Sequence, residues 1–370
     1  MSFESARLTE LKNQGLLREL KLRNRYLLNF STNDYLNLSS HQLVKKRAIE
    51  AVKNWGAGAG GSRLMAGNLS LHEELERKLA ELTGMGSALI FGSGFLTNLG
   101  VLTALAGGDD VIFSDRLNHA SLVDGAIMSR AEVRRYRHCD VEHLADLVRS
   151  SGSSGKKIIV TDSVFSMDGD IAPLLDIYEL AVSEGCLLVV DEAHAVGVFG
   201  SGGGVCRSLS IQPDVITGTL SKALGGYGGF ASCSASLRSF FVNRSRSFVY
   251  TTGLPPSSIG AALGALELIN SSSNMGETLL TNAALFRERL NKMGFDTCGS
   301  ASQIIPVIAG DSSNAVSFSE YLEEAGILAV AIRPPTVPEG SARLRFSLTM
   351  SHSNQDTDKV ISAMEEIKWK

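Results

Sequence analysis

Short apolar runs alternate with segments of helical spacing through the middle of the chain. The apolar runs do not alternate with polar residues, which is typical of strands that are buried on both faces of a parallel sheet. We predict such strands at residues 88–91, 111–113, 157–161, 187–190, 215–217 and 230–233. This order of elements predicts the α/β fold class, with a mostly parallel central sheet and helices on both of its faces.

The predicted helix that precedes the first of these strands has the clearest signals at its ends. Ser70-Leu71-His72-Glu73 has the spacing of a capping box, and Gly84 follows the last residue of the periodic pattern. A serine or threonine before a glutamate three positions on favours a helix start, and a glycine favours its end. We therefore predict a helix over residues 70–82.

The two ends of the chain have a different pattern from the middle. Leucines at loose helical spacing precede a short extended stretch at 26–30, and residues 1–40 are predicted to form an arm. After Pro255-Pro256, a helix at 258–270 leads to strands at 304–308, 327–332 and 342–348 and to a closing helix. We predict a cofactor-binding domain at 41–257 and a smaller C-terminal α+β domain at 258–370.

The composition excludes several classes of function. The chain has 370 residues and a formal net charge of -4, so no polyanionic partner such as a nucleic acid is expected. Its five cysteines are scattered without a Cys-x-x-Cys pair, which favours reduced thiols over a disulfide framework or a metal site. No secretory signal and no apolar stretch of about 20 residues is present, so we expect a cytoplasmic protein without a membrane partner.

A lysine in a glycine-flanked turn carries the strongest chemical signal. Lys222 lies in Thr219-Leu220-Ser221-Lys222-Ala223-Leu224-Gly225-Gly226, downstream of the strand-ending Asp191 and of His194. The lysine amine can form a Schiff base with the aldehyde of pyridoxal phosphate, and a buried carboxylate can hold the pyridine nitrogen protonated. Because ligands bind at the carboxyl ends of parallel strands, Asp191 lies where a cofactor would sit.

Other polar residues follow predicted strands and complete such a site. The turn 92–98 opens a helix, whose N-terminus can bind a phosphate together with the hydroxyl groups of Thr219 and Ser221. His119 is a candidate to stack on a flat ring, and Ser166 is a candidate donor near the ring hydroxyl. In the strand at 342–348, alternation places Arg343 and Arg345 on one face, where either could bind a substrate carboxylate or form an ion pair.

Two motifs have alternative interpretations. Residues 191–194 read Asp-Glu-Ala-His, as in nucleotide-driven helicases, but the chain has no phosphate-binding Gly-x-x-x-x-Gly-Lys-Ser/Thr motif upstream. Residues 56–62 are glycine-rich, but a predicted helix precedes them, so they are no dinucleotide fingerprint. They are more typical of a close backbone approach to a ligand or a partner subunit.

Taken together, the motifs resemble the α-oxoamine synthases, which are fold-type-I pyridoxal phosphate transferases, along nearly the whole chain. The matching stretches are 29–36, 60–63, 94–95, 118–121, 164–170, 191–194 and 221–222. The resemblance implies catalytic roles for Lys222, His119 and Asp191. It implies a cofactor site formed by Lys222, Gly94, Phe95, His119, Ser166, Asp191, His194 and Thr219, and substrate contacts from Arg18, His119, Thr336 and Arg345.

Within that family, segments 331–338 and 342–345 are most similar to members that condense L-alanine with a pimeloyl thioester in biotin synthesis. The resemblance also implies a homodimer, with residues 250–252 reaching the site of the partner subunit. Alternatives are a sister synthase that uses glycine, such as a glycine C-acetyltransferase, and an aminotransferase on the same fold. A catalytically silent homologue is disfavoured, because such a subunit has no need of Lys222.

Overall fold

The chain folds into two compact units. The structure is a computed structural model that describes residues 2–13, 17, 20, 22, 24, 26–152, 154–272 and 274–367. The larger unit comprises Asn33–Ser166 and Ile171–Leu279, and the smaller unit comprises Met1–Thr32, Met167–Asp170 and Leu280–Lys370. None of the described helices combines the length and the apolar character needed to cross a membrane.

A mostly parallel sheet forms the centre of the larger unit. As far as the chain is described, seven strands lie in the order β2-β8-β7-β6-β5-β3-β4. Every neighbouring pair is parallel except those that involve β8. The strands are β2 (Ser87–Phe91), β3 (Val111–Asp115), β4 (Glu132–Tyr136), β5 (Lys157–Asp162), β6 (Leu187–Asp191), β7 (Val215–Thr219) and β8 (Gly229–Cys233).

Helices connect these strands and cover the sheet. They are α2 (Gln42–Trp55), α3 (Ser70–Thr83), α4 (Gly94–Leu105), α5 (Ala120–Met128), α6 (Val141–Arg149), α7 (Leu174–Glu184), α8 (Val205–Ser208), α9 (Ala235–Arg244), α10 (Arg246–Val249) and α11 (Pro256–Ser271). One core cluster includes Val160, Val189 and Val215 from three strands and Val101 from α4, all essentially buried. Each such side chain contributes about 1.5–3 kcal/mol through burial, which holds the strand ends in fixed positions.

The smaller unit contains short sheets and the chain termini. Its elements are α1 (Phe3–Asn13), β1 (Leu28–Asn29), β9 (Ile304–Gly310), α13 (Ser312–Glu324), β10 (Ile327–Leu328), β11 (Val330–Ile332), β12 (Ala342–Ser347) and α14 (Asn354–Glu366). Strand β12 pairs antiparallel with β9 and β11, and β1 pairs parallel with β10. Helix α12 (Met275–Lys292) contains the boundary between the units.

The predicted fold class is confirmed, and several details of the elements differ. Helix α3 does not use the predicted capping box: its N-cap is Leu69, whose N–H donates to His72 Nδ1 at 3.0 Å, so Ser70 is already helical. The end at Gly84 is as predicted, with φ of 74°. The strand predicted at 327–332 is split into β10 and β11, and β4 was not predicted.

The predicted limits of the arm and the two domains stay predictions. Helix α11, which the sequence analysis placed in the smaller domain, packs against α2 within the larger unit. The glycine-rich segment and residues 250–252, for which the sequence suggested no role within one subunit, contact each other. Ser62 and Thr252 form an isolated β-bridge, and Gly253 N–H donates to Gly61 O at 3.0 Å.

Candidate active site

Four parallel strands of the larger unit end in polar residues at the same edge of the sheet. Strands β3, β5 and β6 end at Asp115, Asp162 and Asp191, and β7 ends at Thr219. All four residues are buried. Since unpaired charges are rarely buried without a function or a partner, this edge is the candidate site.

Asp191 is fixed by two hydrogen bonds. Its Oδ2 accepts from Asn98 Nδ2 at 2.6 Å, and its Oδ1 accepts from the N–H of Ala193 at 2.8 Å. The residue is 5% exposed. Donors at both oxygens fix the orientation of the carboxylate, which suits a partner for a protonated ring nitrogen.

Lys222 lies beside His194. Lys222 Nζ is 2.7 Å from His194 Nε2, and His194 Nδ1 is 2.6 Å from the hydroxyl of Tyr35. The Tyr35 hydroxyl is also 3.1 Å from Asn33 Oδ1. Lys222, His194, Tyr35 and Asn33 thus form one chain of hydrogen bonds.

The turn that carries Lys222 depends on a glycine. Gly225 has φ of 61°, and its N–H donates to Lys222 O at 2.9 Å. A Cβ at Gly225 would lie 2.4 Å from the backbone nitrogen of Ser39. A side chain is therefore excluded both by the backbone conformation and by the neighbouring segment.

His119 caps helix α5 and presents an exposed ring. The backbone N–H of His119 donates to Asp162 Oδ2 at 2.7 Å, and the ring Nδ1 is 2.8 Å from Ser121 Oγ. Desolvation by the surrounding protein lowers the pKa of His119, Lys222 lowers it further, and the charge of Asp191 opposes the shift. The pKa of Asp162 is raised well above its usual range, first by burial and then by the charge of Asp191.

The predicted phosphate-binding residues lie at the start of helix α4. Ser93 is the N-cap, Gly94 and Phe95 form the first turn, and a Cβ at Gly94 would lie 3.3 Å from Thr219 Cβ. Thr219 Oγ1 accepts from the N–H of Ser221 at 3.1 Å. The first N–H groups of a helix have no partner within it, so backbone donors, a hydroxyl and the positive helix end meet at one place.

These residues fit pyridoxal phosphate. The set contains an amine for the aldehyde, a buried carboxylate for the ring nitrogen, an exposed imidazole for the ring face and a helix N-terminus for the phosphate. The backbone of Gly94 leaves the space that a side chain would fill beside Thr219. Ser166, the predicted donor near the ring hydroxyl, is half-buried in the segment that follows β5.

The predicted substrate residues belong to the smaller unit. Arg343 is buried and forms an ion pair with Asp168, and its Nε donates to Ser341 O at 3.0 Å. Arg345 is 7% exposed, and its Nη1 donates to Ser347 Oγ at 2.7 Å. Thr336 lies in the turn that follows β11, where its N–H donates to Arg333 O at 3.1 Å. Arg18 lies outside the described residues.

Three residues of the larger site were not singled out from the sequence. Tyr35 lies in one of the stretches that carried the resemblance, and Asp162 directly follows a predicted strand. Asn98 is an amide within a mostly apolar helix without charged residues, and it is 2% exposed. A buried amide needs hydrogen-bond partners, so an asparagine among apolar residues of a helix was the sequence signal for a polar contact at this position.

A group of potential metal ligands also occurs at this sheet edge. Asp115, His138 and Cys139 place one ligand atom each within 4.8 Å of one another. The Asp115 carboxylate already accepts from the N–H of Leu117 at 2.8 Å and from the N–H of Cys139 at 2.9 Å. These contacts fix the loop after β4 against the end of β3.

Known proteins resemble this chain along nearly its whole length. The family model for aminotransferase class I and II matches residues 25–364. The 8-amino-7-oxononanoate synthase of Citrifermentans bemidjiense is 42% identical over 97% of this chain and 96% of its own length. The 8-amino-7-oxononanoate synthase of Geobacter sulfurreducens is 43% identical over the same shares. A solved structure of SPT with PLP as an internal aldimine superposes with a TM-score of 0.91 at 29% identity, covering 98% of this chain and 96% of that one.

Proposed function

The chain belongs to the aminotransferase class I and II family and, within it, to the α-oxoamine synthases, and from this premise we propose that it is an 8-amino-7-oxononanoate synthase. It condenses L-alanine with pimeloyl-CoA, or with the pimeloyl carrier-protein thioester, and releases CO2 and the thiol. The observation that carries the proposal is the Lys222–His194 pair beside the buried Asp191, in a chain with more than two fifths of its residues identical to those of such synthases.

The site residues divide this chemistry among them. Pyridoxal phosphate supplies, when bound, an electron-withdrawing ring that stabilises negative charge at the α-carbon of alanine. We assign Asp191 to the ring nitrogen, His119 to the ring face, and Ser166 and His194 to the side of the ring oxygen. Gly94, Phe95 and Thr219 hold the phosphate.

Lys222 has two tasks in this scheme. Its Nζ would hold the cofactor through the aldehyde, and as a free amine it would take up and return the α-proton of the amino acid. His194 Nε2, 2.7 Å away, accepts a hydrogen bond from this nitrogen and fixes its direction. We assign the His194 proton to Nδ1, which faces Tyr35, so that the acceptor side of the imidazole faces the lysine.

We assign the amino-acid carboxylate to Arg345 and a further substrate contact to Thr336. Arg343 is the matched alternative on the same strand, and it forms an ion pair with Asp168. A guanidinium group binds a carboxylate through two parallel hydrogen bonds, and the family resemblance assigns this role to Arg345. A contact of Arg18 with the acyl chain stays part of the proposal.

We further propose that the enzyme works as a cytoplasmic homodimer. The larger unit exposes large apolar side chains in the segments near the Ser62–Thr252 bridge: Met65 is 84% and Tyr250 is 73% exposed. Exposed apolar side chains grouped in this way favour a protein interface. The five cysteines are free thiols, which suits a reducing compartment.

The test offers L-alanine or glycine with pimeloyl-CoA or acetyl-CoA to the purified enzyme and identifies products by mass spectrometry. We expect rapid formation of 8-amino-7-oxononanoate and CO2 from alanine and pimeloyl-CoA, and no product with Lys222→Ala. A preference for glycine with acetyl-CoA would identify a glycine C-acetyltransferase instead. Transfer of the amino group without release of CO2 would identify an aminotransferase.

A further inference from the structure

A line of buried polar side chains connects Asp191 to His119 beneath the candidate site. At its centre is Asn98 of helix α4, whose Nδ2 donates to Asp191 Oδ2 at 2.6 Å and to Ser121 Oγ at 2.8 Å. Its Oδ1 accepts from Thr217 Oγ1 at 2.7 Å. Asn98, Ser121 and Thr217 are all at most 2% exposed, so water does not compete for these bonds.

The direction of each hydrogen bond follows from its neighbours. A carboxylate only accepts, so the amide nitrogen of Asn98 must face Asp191, and the Thr217 hydroxyl donates to the amide oxygen. The second Asn98 proton goes to Ser121 Oγ, which leaves the Ser121 proton for His119 Nδ1 at 2.8 Å. The N–H of Ser121 also points at this nitrogen, at 3.3 Å. His119 therefore keeps its ring proton on Nε2.

We propose that Asn98 is a positioning residue that couples Asp191 to His119. Through one amide it fixes the direction of the Asp191 carboxylate and, by way of Ser121, holds His119 as the neutral Nε2–H tautomer. The inference rests on the proposed function, because Asp191 and His119 are both assigned to the cofactor ring. A neutral imidazole can lie on a protonated ring without the repulsion that a second positive charge would add.

The charged groups around His119 set the expected effect of removing Asn98. Asp191 and Asp124 raise the pKa of His119, Lys222 lowers it, and Asp162 accepts from its backbone N–H. Without Asn98, the Ser121 hydroxyl is free to accept a proton from Nδ1, and the Asp191 charge loses a donor. Both changes favour the imidazolium form, so the pKa of His119 should rise.

The test uses the apoprotein, so it does not depend on turnover. Long-range proton–nitrogen NMR spectra of protein with 15N-labelled histidine report the protonation of each ring nitrogen, and His119→Gln assigns the signal among the seven histidines. We expect wild-type His119 to carry its proton on Nε2. Asn98→Leu should raise the pKa of His119 by about one unit, the equivalent of one hydrogen bond.

Thr83→Val is the matched control, because it also removes one buried hydrogen-bonding side chain of the larger unit, whose hydroxyl donates to Leu79 O at 2.9 Å. It should leave the His119 signals unchanged. A proton on Nδ1 in the wild type, or equal spectra for Asn98→Leu and Thr83→Val, would overturn the inference. If Asn98→Leu does not fold, Ser121→Ala must shift the Nδ1 signal, and an unshifted signal overturns the inference too. If the spectra are as expected but the enzyme does not condense alanine, only the proposed function is rejected.

Discussion

Replacing Asp191 by asparagine should lower kcat by about a thousandfold while leaving the protein folded. The change keeps the shape of the side chain and removes its charge. The residue is 5% exposed, so its charge acts in a medium with an effective dielectric constant of about 20, where an ion pair at about 4 Å is worth about 4 kcal/mol. Losing that stabilisation of a protonated cofactor ring corresponds to a decrease in kcat of about a thousandfold.

The effect on folding has a separate and smaller origin. Both Asp191 oxygens accept hydrogen bonds, from Asn98 Nδ2 and from the N–H of Ala193. An asparagine has only one oxygen, so in either orientation one of these donors faces an NH2 group. An unsatisfied buried donor costs about 1–3 kcal/mol, which is less than the usual stability of a folded domain of about 5–15 kcal/mol.

Two measurements on Asp191→Asn separate these effects: kcat with alanine and pimeloyl-CoA at saturating cofactor, and urea unfolding of the apoprotein. The matched control is Asp162→Asn. Burial and the charge of Asp191 raise the pKa of Asp162 well above its usual range, and an asparagine there can still accept from the N–H of His119. We expect the control to retain most of its activity. Turnover of Asp191→Asn within tenfold of the wild type, or an equal loss in the control, would refute the assigned role.

Three further predictions concern substrate binding, assembly and stability. Arg345→Ala should raise the alanine concentration for half-saturation about 30-fold or more, for a loss of roughly 2–5 kcal/mol, and a larger alanine defect in Arg343→Ala would reverse the assignment. The active protein should sediment as a dimer, and Tyr250→Asp should weaken the association of the two subunits. A fully active monomer would refute the proposed interface. Burial lowers the pKa of His72 to about 4, so the folded state favours the neutral imidazole. The free energy of unfolding is therefore highest above pH 6.5 and decreases by about 3 kcal/mol as the pH falls towards 4. His72→Gln should flatten this loss in urea unfolding at pH 7 and pH 5, and an unchanged pH dependence would assign it to other groups.

Most strands of the larger sheet were predictable because buried strands must consist of apolar residues, and such runs can be recognised in the sequence. Strand β6 is apolar up to Asp191, and burial on both faces requires that. Strand β4 was missed because it lies at the sheet edge, pairs with β3 alone, and carries Glu132, Arg134 and Arg135. An edge strand can expose such charges, so its composition resembles that of a solvated loop.

The start of helix α3 was wrongly predicted for a different reason. Glu73 has the spacing of a capping box with Ser70, but the imidazole of His72 accepts from the N–H of Leu69 instead. His72 is fully buried, and its contact therefore depends on the packing around it as well as on its spacing. Local pattern rules cannot include that packing, and the boundary shifted by one residue.

The site shows most clearly which information the sequence leaves out. Asp162 and Asp191 end neighbouring strands and are paired in register. From their positions in the sequence alone, either one could be the partner of the ring nitrogen. They differ in their donors: Asp191 accepts from Asn98, which is 93 positions away in the chain, whereas Asp162 accepts from the backbone of His119. The burial that both share raises the pKa of Asp162, and the charge of Asp191 raises it further. The amide contact that distinguishes the two carboxylates thus joins residues far apart in the chain, and only the folded chain contains that contact.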